Sequence, residues 1–313
     1  MKKILITGSN GQIGSELIEE LVKLYGKENV IGLDITEPKE EKYQFVKLDA
    51  TDFEGLKKVI EKYDVGEIYH LVSLLSATGE KNPDLAWHIN MSSLKNVLDI
   101  ARERKIKVFW PSSIAAFGPT TPKENTPQRT ILEPNTMYGV TKVAGELLCN
   151  YYFYKYQVDV RSVRFPGIIS WKTPPGGGTT DYAVAIFYEA IQNKYYKCFV
   201  REDTVLPMMY MPDAIRAIIE IMKAEREKIK IRTSYNLAAI SFKAKDLELE
   251  LKKYIDFEIE YSPDYRQQIA DSWPKTIDDS QARKDWGWKH KYDLAAMTKD
   301  MYTNLTKKLK SKK

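Results

Sequence analysis

The segment Lys3-Ile4-Leu5-Ile6-Thr7-Gly8-Ser9-Asn10-Gly11-Gln12-Ile13-Gly14 stands at the head of the chain and carries the reading of the fold. Lys3 to Thr7 is a short apolar run that ends in glycine, the pattern of a buried parallel strand. From Gln12 to Leu24 the apolar residues Ile13, Leu17, Leu21 and Leu24 recur at helical spacing. The glycines between strand and helix answer three demands: a tight turn, close approach of a pyrophosphate to the backbone, and hard packing of helix on strand. The helix start then offers free N–H groups and a positive dipole end to phosphates. Asp34 follows Gly14 by 20 residues, at the end of the next strand-like run, where a carboxylate can accept both ribose hydroxyls. The combination predicts dinucleotide binding. With no Arg beside Asp34 to neutralise a 2′-phosphate, NAD is expected rather than NADP.

Working outward, the same rhythm recurs. Strand-like Val30 to Ile35, Tyr43 to Leu48, Ile68 to Val72, Val108 to Trp110 and Val160 to Phe165 alternate with helix-like Phe53 to Tyr63, Leu85 to Arg104 and Tyr138 to Tyr156. Such alternation builds an α/β fold with a doubly wound parallel sheet, a Rossmann domain covered by helices on both faces. It is expected over residues 1–170, with the chain returning to it in parts of 205–240. Past residue 170 the rhythm breaks at Thr173 to Thr180, and 171–313 read mainly as a smaller mixed α/β lobe for the substrate, with a C-terminal helix. Asp49, ending the third strand-like run, is either an adenine-side ligand or an ordinary turn acid.

Composition narrows the function classes. The 313 residues include 48 basic and 43 acidic ones, a formal net charge of +5. Five positives sit in the tail at Lys307, Lys308, Lys310, Lys312 and Lys313, so the remainder is near neutral and lacks the basic face that nucleic acid requires. Two cysteines, Cys149 and Cys198, and three histidines provide neither a disulfide framework nor a metal site. No apolar run approaches the ~20 residues that span a bilayer, and no signal-peptide pattern opens the chain, so a cytoplasmic protein is expected without a membrane or nucleic-acid partner.

A candidate catalytic pair lies in Tyr138-Gly139-Val140-Thr141-Lys142, whose spacing of four places Tyr138 and Lys142 on one helical face. A tyrosine with an ordinary pKa near ~10 is a poor base at neutral pH, but a nearby ammonium favours its phenolate. Pro111-Ser112-Ser113 ends the fifth strand 25 residues earlier, where ligands of such sheets bind, so Ser113 is expected to converge with Tyr138.

Together these residues resemble the extended short-chain dehydrogenase/reductase superfamily, which includes nucleotide-sugar epimerases and dehydratases. Three further segments, Pro174 to Ala183, Leu206 to Asp213, and Asp271 to Pro274 with Ala282 to Trp288, are similar to its short-chain, epimerase-like L-threonine 3-dehydrogenases. That resemblance implies an NAD-dependent oxidoreductase of threonine catabolism. L-threonine would be oxidised at its β-hydroxyl to 2-amino-3-oxobutanoate, with Tyr138 as general base, Lys142 lowering its pKa and Ser113 orienting the hydroxyl. The cofactor residues it implies are Gly8, Gly11, Gln12, Ile13, Gly14, Asp34, Asp49, Ala50, Leu71, Tyr138, Lys142 and Pro166. For the substrate they are Ser76, Ser113, Tyr138, Gly178, Thr179, Thr180 and Trp273. Hydroxyls of Ser76, Thr179 and Thr180, with backbone N–H groups around Gly178, are the candidate carboxylate donors, and Trp273 either closes over the methyl group or is a core tryptophan. A homodimer through Leu85 to Arg104 and Tyr138 to Tyr156 is also implied; Val143, Leu147, Leu148, Tyr151 and Tyr152 would suit that interface or a core face equally. The competing readings are a nucleotide-sugar epimerase or dehydratase and a non-enzymatic NAD-sensing regulator.

Overall fold

A computed structural model describes residues 2–38 and 42–311; Lys312 and Lys313 of the lysine-rich tail lie outside them. By contacts the chain divides into two units. The first comprises Met1–Ala116, Thr136–Arg164 and Ile215–Tyr235, and the second Phe117–Asn135, Phe165–Ala214 and Asn236–Lys313. The second unit thus takes 117–135 and 165–170 from the expected first domain, and the returning segment is confined to Ile215–Tyr235.

Strands β1 (Lys3–Thr7), β2 (Val30–Asp34), β3 (Gln44–Lys47), β4 (Val65–His70), β5 (Lys107–Ser113) and β6 (Val160–Phe165) coincide with the expected runs to within a few residues. The first unit is built on a seven-stranded sheet in the order β10-β6-β5-β4-β1-β2-β3, the order of a Rossmann fold. β1 pairs in parallel with both β2 and β4, so the strand order reverses at the β1/β4 step, where ligands of such sheets bind. Helices α1 (Gln12–Tyr25), α2 (Phe53–Lys62), α3 (Ser76–Lys81), α4 (Pro83–Trp87), α5 (Ser93–Arg104) and α6 (Met137–Tyr156) complete the alternation. One core cluster gathers Leu5, Ile31, Ile68 and Val108 of the strands with Leu56 and Ile60 of α2 and Leu94 and Leu98 of α5. Burial of such aliphatic faces is the main term holding helices on the sheet.

The expected helix over Leu85 to Arg104 is interrupted. A π-helical turn at His88–Ser92 separates α4 from α5, and within it the buried Asn90 side chain accepts the Leu74 amide at 2.7 Å and donates to the Leu74 carbonyl at 3.2 Å.

In the second unit β7 (Gly167–Ile169), β9 (Val205–Tyr210) and β11 (Ile240–Lys243) form a three-stranded mixed sheet. β8 (Tyr195–Cys198) pairs in parallel with β12 (Glu258–Tyr261), and β10 (Tyr235–Asn236) closes the large sheet. Helices α7 (Tyr182–Asn193), α8 (Met211–Lys223), α9 (Ala244–Leu251), α10 (Arg266–Ser272), α11 (Ser280–Trp286) and α12 (Leu294–Lys310) follow in chain order. Among the described residues no helix is long and apolar enough to cross a membrane.

Helix α6 lies unusually close to β5. Gly145, in mid-helix, faces the buried Trp110 so closely that an added Cβ would stand 2.5 Å from its ring carbons. Gly145→Ala therefore gains about 1 kcal/mol of helix propensity and incurs the larger overpacking cost of roughly 1–3 kcal/mol. Urea unfolding should show a lowered midpoint with an unchanged slope; a raised midpoint would mean that Trp110 yields freely.

Candidate active site

Three successive residues ending β5 meet three residues of one α6 face. The Lys142 ammonium donates to the Pro111 carbonyl at 2.8 Å, the Ser112 hydroxyl donates to Glu146 Oε1 at 2.6 Å, and the Ser113 side chain lies near enough to Tyr138 to pull its pKa down. Spacing of four along a helix aligns Tyr138, Lys142 and Glu146. The N-terminus of α6 is fixed by Thr136, whose hydroxyl accepts the Gly139 amide at 3.1 Å. Ser113 Oγ also accepts the Ala115 amide at 3.2 Å, which leaves its own hydrogen to donate.

Lys142 is buried, its nitrogen 4.7 Å from the centroid of the Trp110 ring and 5.2 Å from that of Tyr138. Burial pulls its pKa down to about 7, against the opposing pull of Cys149 and Glu146. Tyr138 keeps part of its ring exposed, yet burial of the phenol pushes its pKa up to about 12 while the Ser113 hydrogen bond pulls the other way. This differs from the expectation that Lys142 lowers the Tyr138 pKa. The physical reason is placement: the ammonium is held on the Pro111 carbonyl and lies over ring faces, and it is itself penalised by the same dry surroundings.

The glycine turn has the shape a dinucleotide needs. Gly8 has φ +73°, and a Cβ there would sit 2.9 Å from the Val72 amide nitrogen. At Gly14 a Cβ would be 2.2 Å from the Gly8 carbonyl oxygen. Gly11 caps α1 without any side-chain hydrogen bond, and the first turn carries no acid, so the positive helix end is not neutralised from within. Gln12 and Ile13 are the first residues of that turn. Asp34 accepts the Asn10 amide at 3.0 Å and the Thr36 amide and hydroxyl at 3.1 Å. Three of about four lone-pair sites of an ionised carboxylate are thus filled, and the Thr36 hydroxyl is the partner a ribose hydroxyl can replace. These residues fit NAD.

The remaining expected residues fare differently. Asp49 is exposed and accepts the amide and hydroxyl of Thr51 at 2.8 Å, an Asx turn. Ala50 is packed into the core cluster, so it can offer backbone only. Leu71 is partly buried, its amide donating to the Thr7 carbonyl at 2.9 Å. Ser76 is buried at the start of α3. In the second unit, Pro166 and Trp273 are buried, and Thr180 packs close enough to Gly167 that a Cβ there would meet it at 2.7 Å. The Gly176 and Gly178 amides are not open donors, because both bond Asp181 Oδ2, at 2.7 and 2.8 Å. Thr179 is buried in the short turn that follows.

Several residues escaped the sequence reading. Besides Glu146, the structure places Arg164 against it at 2.6 and 2.8 Å, both side chains buried. Asn90 donates to the Thr141 hydroxyl at 3.1 Å, next to Lys142. His70 is fully buried between Thr7 Oγ1 at 2.7 Å and Ser93 Oγ at 3.1 Å. Ser93 gives its hydrogen to the Ile89 carbonyl at 2.6 Å, so it must accept from His70 Nε2–H. His70 Nδ1 then accepts from Thr7, and the ring is neutral. A Glu eight residues after Tyr138 was the one signal in the sequence that could have exposed this network.

Comparison with known proteins follows the same lines. The NAD dependent epimerase/dehydratase family matches residues 4–238. An uncharacterized epimerase/dehydratase of Staphylococcus haemolyticus is 50% identical over 318 residues, covering 100% of each chain. The solved structure of a GalE-like L-threonine dehydrogenase from Cupriavidus necator, in its holo form, has a TM-score of 0.95 and 54% identity over 97% of this chain and 99% of that one. A monomeric L-threonine 3-dehydrogenase from a metagenome has a TM-score of 0.95 and 48% identity, again over 97% and 99%.

Burial depresses the pKa of His70 to about 3, with Lys142 adding to the effect. Below the ordinary value near 6.5 the unfolded chain takes up a proton that the native ring refuses, so stability is lost as pH falls from 6.5 toward 3. Between pH 6.5 and 5, above the carboxylate range, the slope should approach about 1.4 kcal/mol per pH unit for this one group. Urea midpoints of the wild type and His70→Gln across that window check it; equal slopes would exclude His70.

Proposed function

The chain belongs to the NAD dependent epimerase/dehydratase family, and from that premise we propose that it is an NAD-dependent L-threonine 3-dehydrogenase yielding 2-amino-3-oxobutanoate. The observation that carries the proposal is the buried Lys142 ammonium 5.2 Å from the Tyr138 ring on one helical face at the end of β5, in a chain about half identical to enzymes that bear that name.

In this reading Ser113 donates to the substrate β-hydroxyl oxygen while Tyr138 Oη takes the hydroxyl proton. Ser113 suits the first role because the Ala115 amide already occupies an oxygen lone pair and directs its hydrogen outward. Tyr138 serves the second as its phenolate, a form that burial disfavours in the free chain and that a positive charge brought beside it would favour. Gly8, Gly11 and Gly14 would cradle the pyrophosphate and Asp34 would hold the adenosine ribose. NAD, when bound, supplies the acceptor for the hydride leaving the β-carbon and a positive ring that favours the phenolate. Lys142 holds the strand end through Pro111 and keeps three donors on one ammonium, enough to reach a ribose hydroxyl as well. Leu147 and Tyr151 on α6 are exposed, as is Tyr154, which supports the further reading that two copies associate along this helix.

Tyr138→Phe keeps the ring and removes the proton acceptor. Turnover of L-threonine, followed by absorbance of the reduced nicotinamide, should fall by the ~10² to 10⁴ of a positioned acid/base group, with NAD binding retained in a fluorescence titration. Wild-type turnover would remove Tyr138 from the reaction. Asp34→Ala should weaken NAD and narrow the gap to NADP, because it removes both the ribose acceptor and the repulsion of a 2′-phosphate; an undiminished preference in that titration would place selectivity elsewhere.

A further inference from the structure

The buried pair Glu146–Arg164 takes no part in the chemistry described so far. Glu146 is 1% and Arg164 3% exposed. The guanidinium meets the carboxylate side-on, Nε to Oε1 at 2.8 Å and Nη2 to Oε2 at 2.6 Å. Pairs this dry gain little over well-packed apolar side chains, because desolvation consumes most of the attraction. Such a pair therefore invites a reason other than stability. The reason offered by the geometry is the third bond on the carboxylate, the 2.6 Å bond from Ser112.

We propose that Glu146, fixed in orientation by Arg164, is a positioning residue that locks the register of α6 on the end of β5 through Ser112, and thereby sets the contact between Ser113 and Tyr138. The proposal rests on the reading of those two residues as the catalytic pair. Ser112 donates to Glu146 while its neighbour Ser113 lies beside Tyr138, so one hydroxyl grips the helix at the strand end from which the next faces the reactive phenol. Lys142, between the two on the same helical face, holds Pro111 by its carbonyl. Without the Ser112 bond, the Lys142–Pro111 bond is the one of these two clamps that remains. The carboxylate suits the task because it only accepts, so the Ser112 hydrogen has one direction to point. The guanidinium fork in turn leaves the carboxylate one rotational setting.

The test uses Ser112→Ala, which removes the grip and leaves the ion pair, and the double variant Glu146→Leu/Arg164→Met, which removes grip and charges together without leaving an unpaired ion. Both should keep a melting temperature near that of the wild type. Turnover of L-threonine should drop about tenfold or more, as small misplacements of reacting groups do, while the NAD dissociation constant changes less than twofold. A second measurement needs no substrate: the ring Cζ resonance of Tyr138 in tyrosine-labelled protein, assigned by its loss in Tyr138→Phe, should shift in both variants. Turnover within twofold of wild type, or an unmoved Tyr138 resonance in Ser112→Ala, overturns the proposal. If the wild-type protein forms no reduced nicotinamide with L-threonine, the functional reading fails on its own, and the resonance still decides the positioning role.

Discussion

The approach of α6 to β5 is the constraint on which the site depends. It depends on Gly145 having no side chain where Trp110 stands. Helix propensity argues against glycine in mid-helix by about 1 kcal/mol relative to alanine, so its presence trades local for tertiary energy. Once the helix is that close, the side chains at 138, 142 and 146 reach the strand end directly. The same closeness excludes water, which is why Lys142 and the Tyr138 phenol are both driven toward their neutral forms.

At the neighbouring step of the sheet a second polar arrangement holds the glycine turn. Thr7 and His70 are register partners across β1 and β4, and their side chains bond while the Thr7 carbonyl accepts the Leu71 amide. The ring continues to Ser93 and through it to the carbonyl of Ile89, in the π-helical turn. Each hydroxyl in the chain has one donor direction left after its neighbour is satisfied, so the tautomer of His70 follows from counting hydrogens. Gly8 follows Thr7 directly, and its amide is tied to the Leu33 carbonyl at 2.8 Å. The ends of β1, β2 and β4 are therefore connected at the level where the cradle begins.

Sequence reading reached the parts of this architecture that repeat. Apolar runs and helical spacing located β1 to β6 and α1, α2 and α6 because burial of one face imposes a period, and the period survives substitution. It missed the π-helical turn, since one extra residue within Leu85 to Arg104 leaves the apolar spacing on either side intact. It assigned open amides to the loop at Gly178, where Asp181, three residues on, takes them. That pairing is local and was in principle visible as an Asx-type cap. Glu146 and Arg164 were not visible in the same way, because a charged residue on a helix reads as solvated until the fold brings a strand 18 residues away to meet it. For the second unit, with short strands and no repeating period, the reading reached a mixed α/β lobe and the C-terminal helix but not the strand order.

The electrostatic state of Tyr138 and Lys142, the proposed catalytic pair, bears on how a base can be formed here. Burial pulls the Lys142 pKa down to about 7 and pushes the Tyr138 pKa up to about 12, so the chain alone favours the neutral forms of both groups. Three protein groups resist that outcome: Ser113, which favours phenolate, and Cys149 and Glu146, which favour ammonium. They act on different members of the pair, four residues apart, so none can complete the activation of Tyr138. A positive charge brought close to the phenol would lower both pKa values together, turning the tyrosine toward its basic form while relieving the lysine of its proton. The dryness that makes Tyr138 a poor base in the free chain is thus the condition that makes its pKa responsive to a bound charge, since a charge acts more strongly in a water-poor site than in an exposed one.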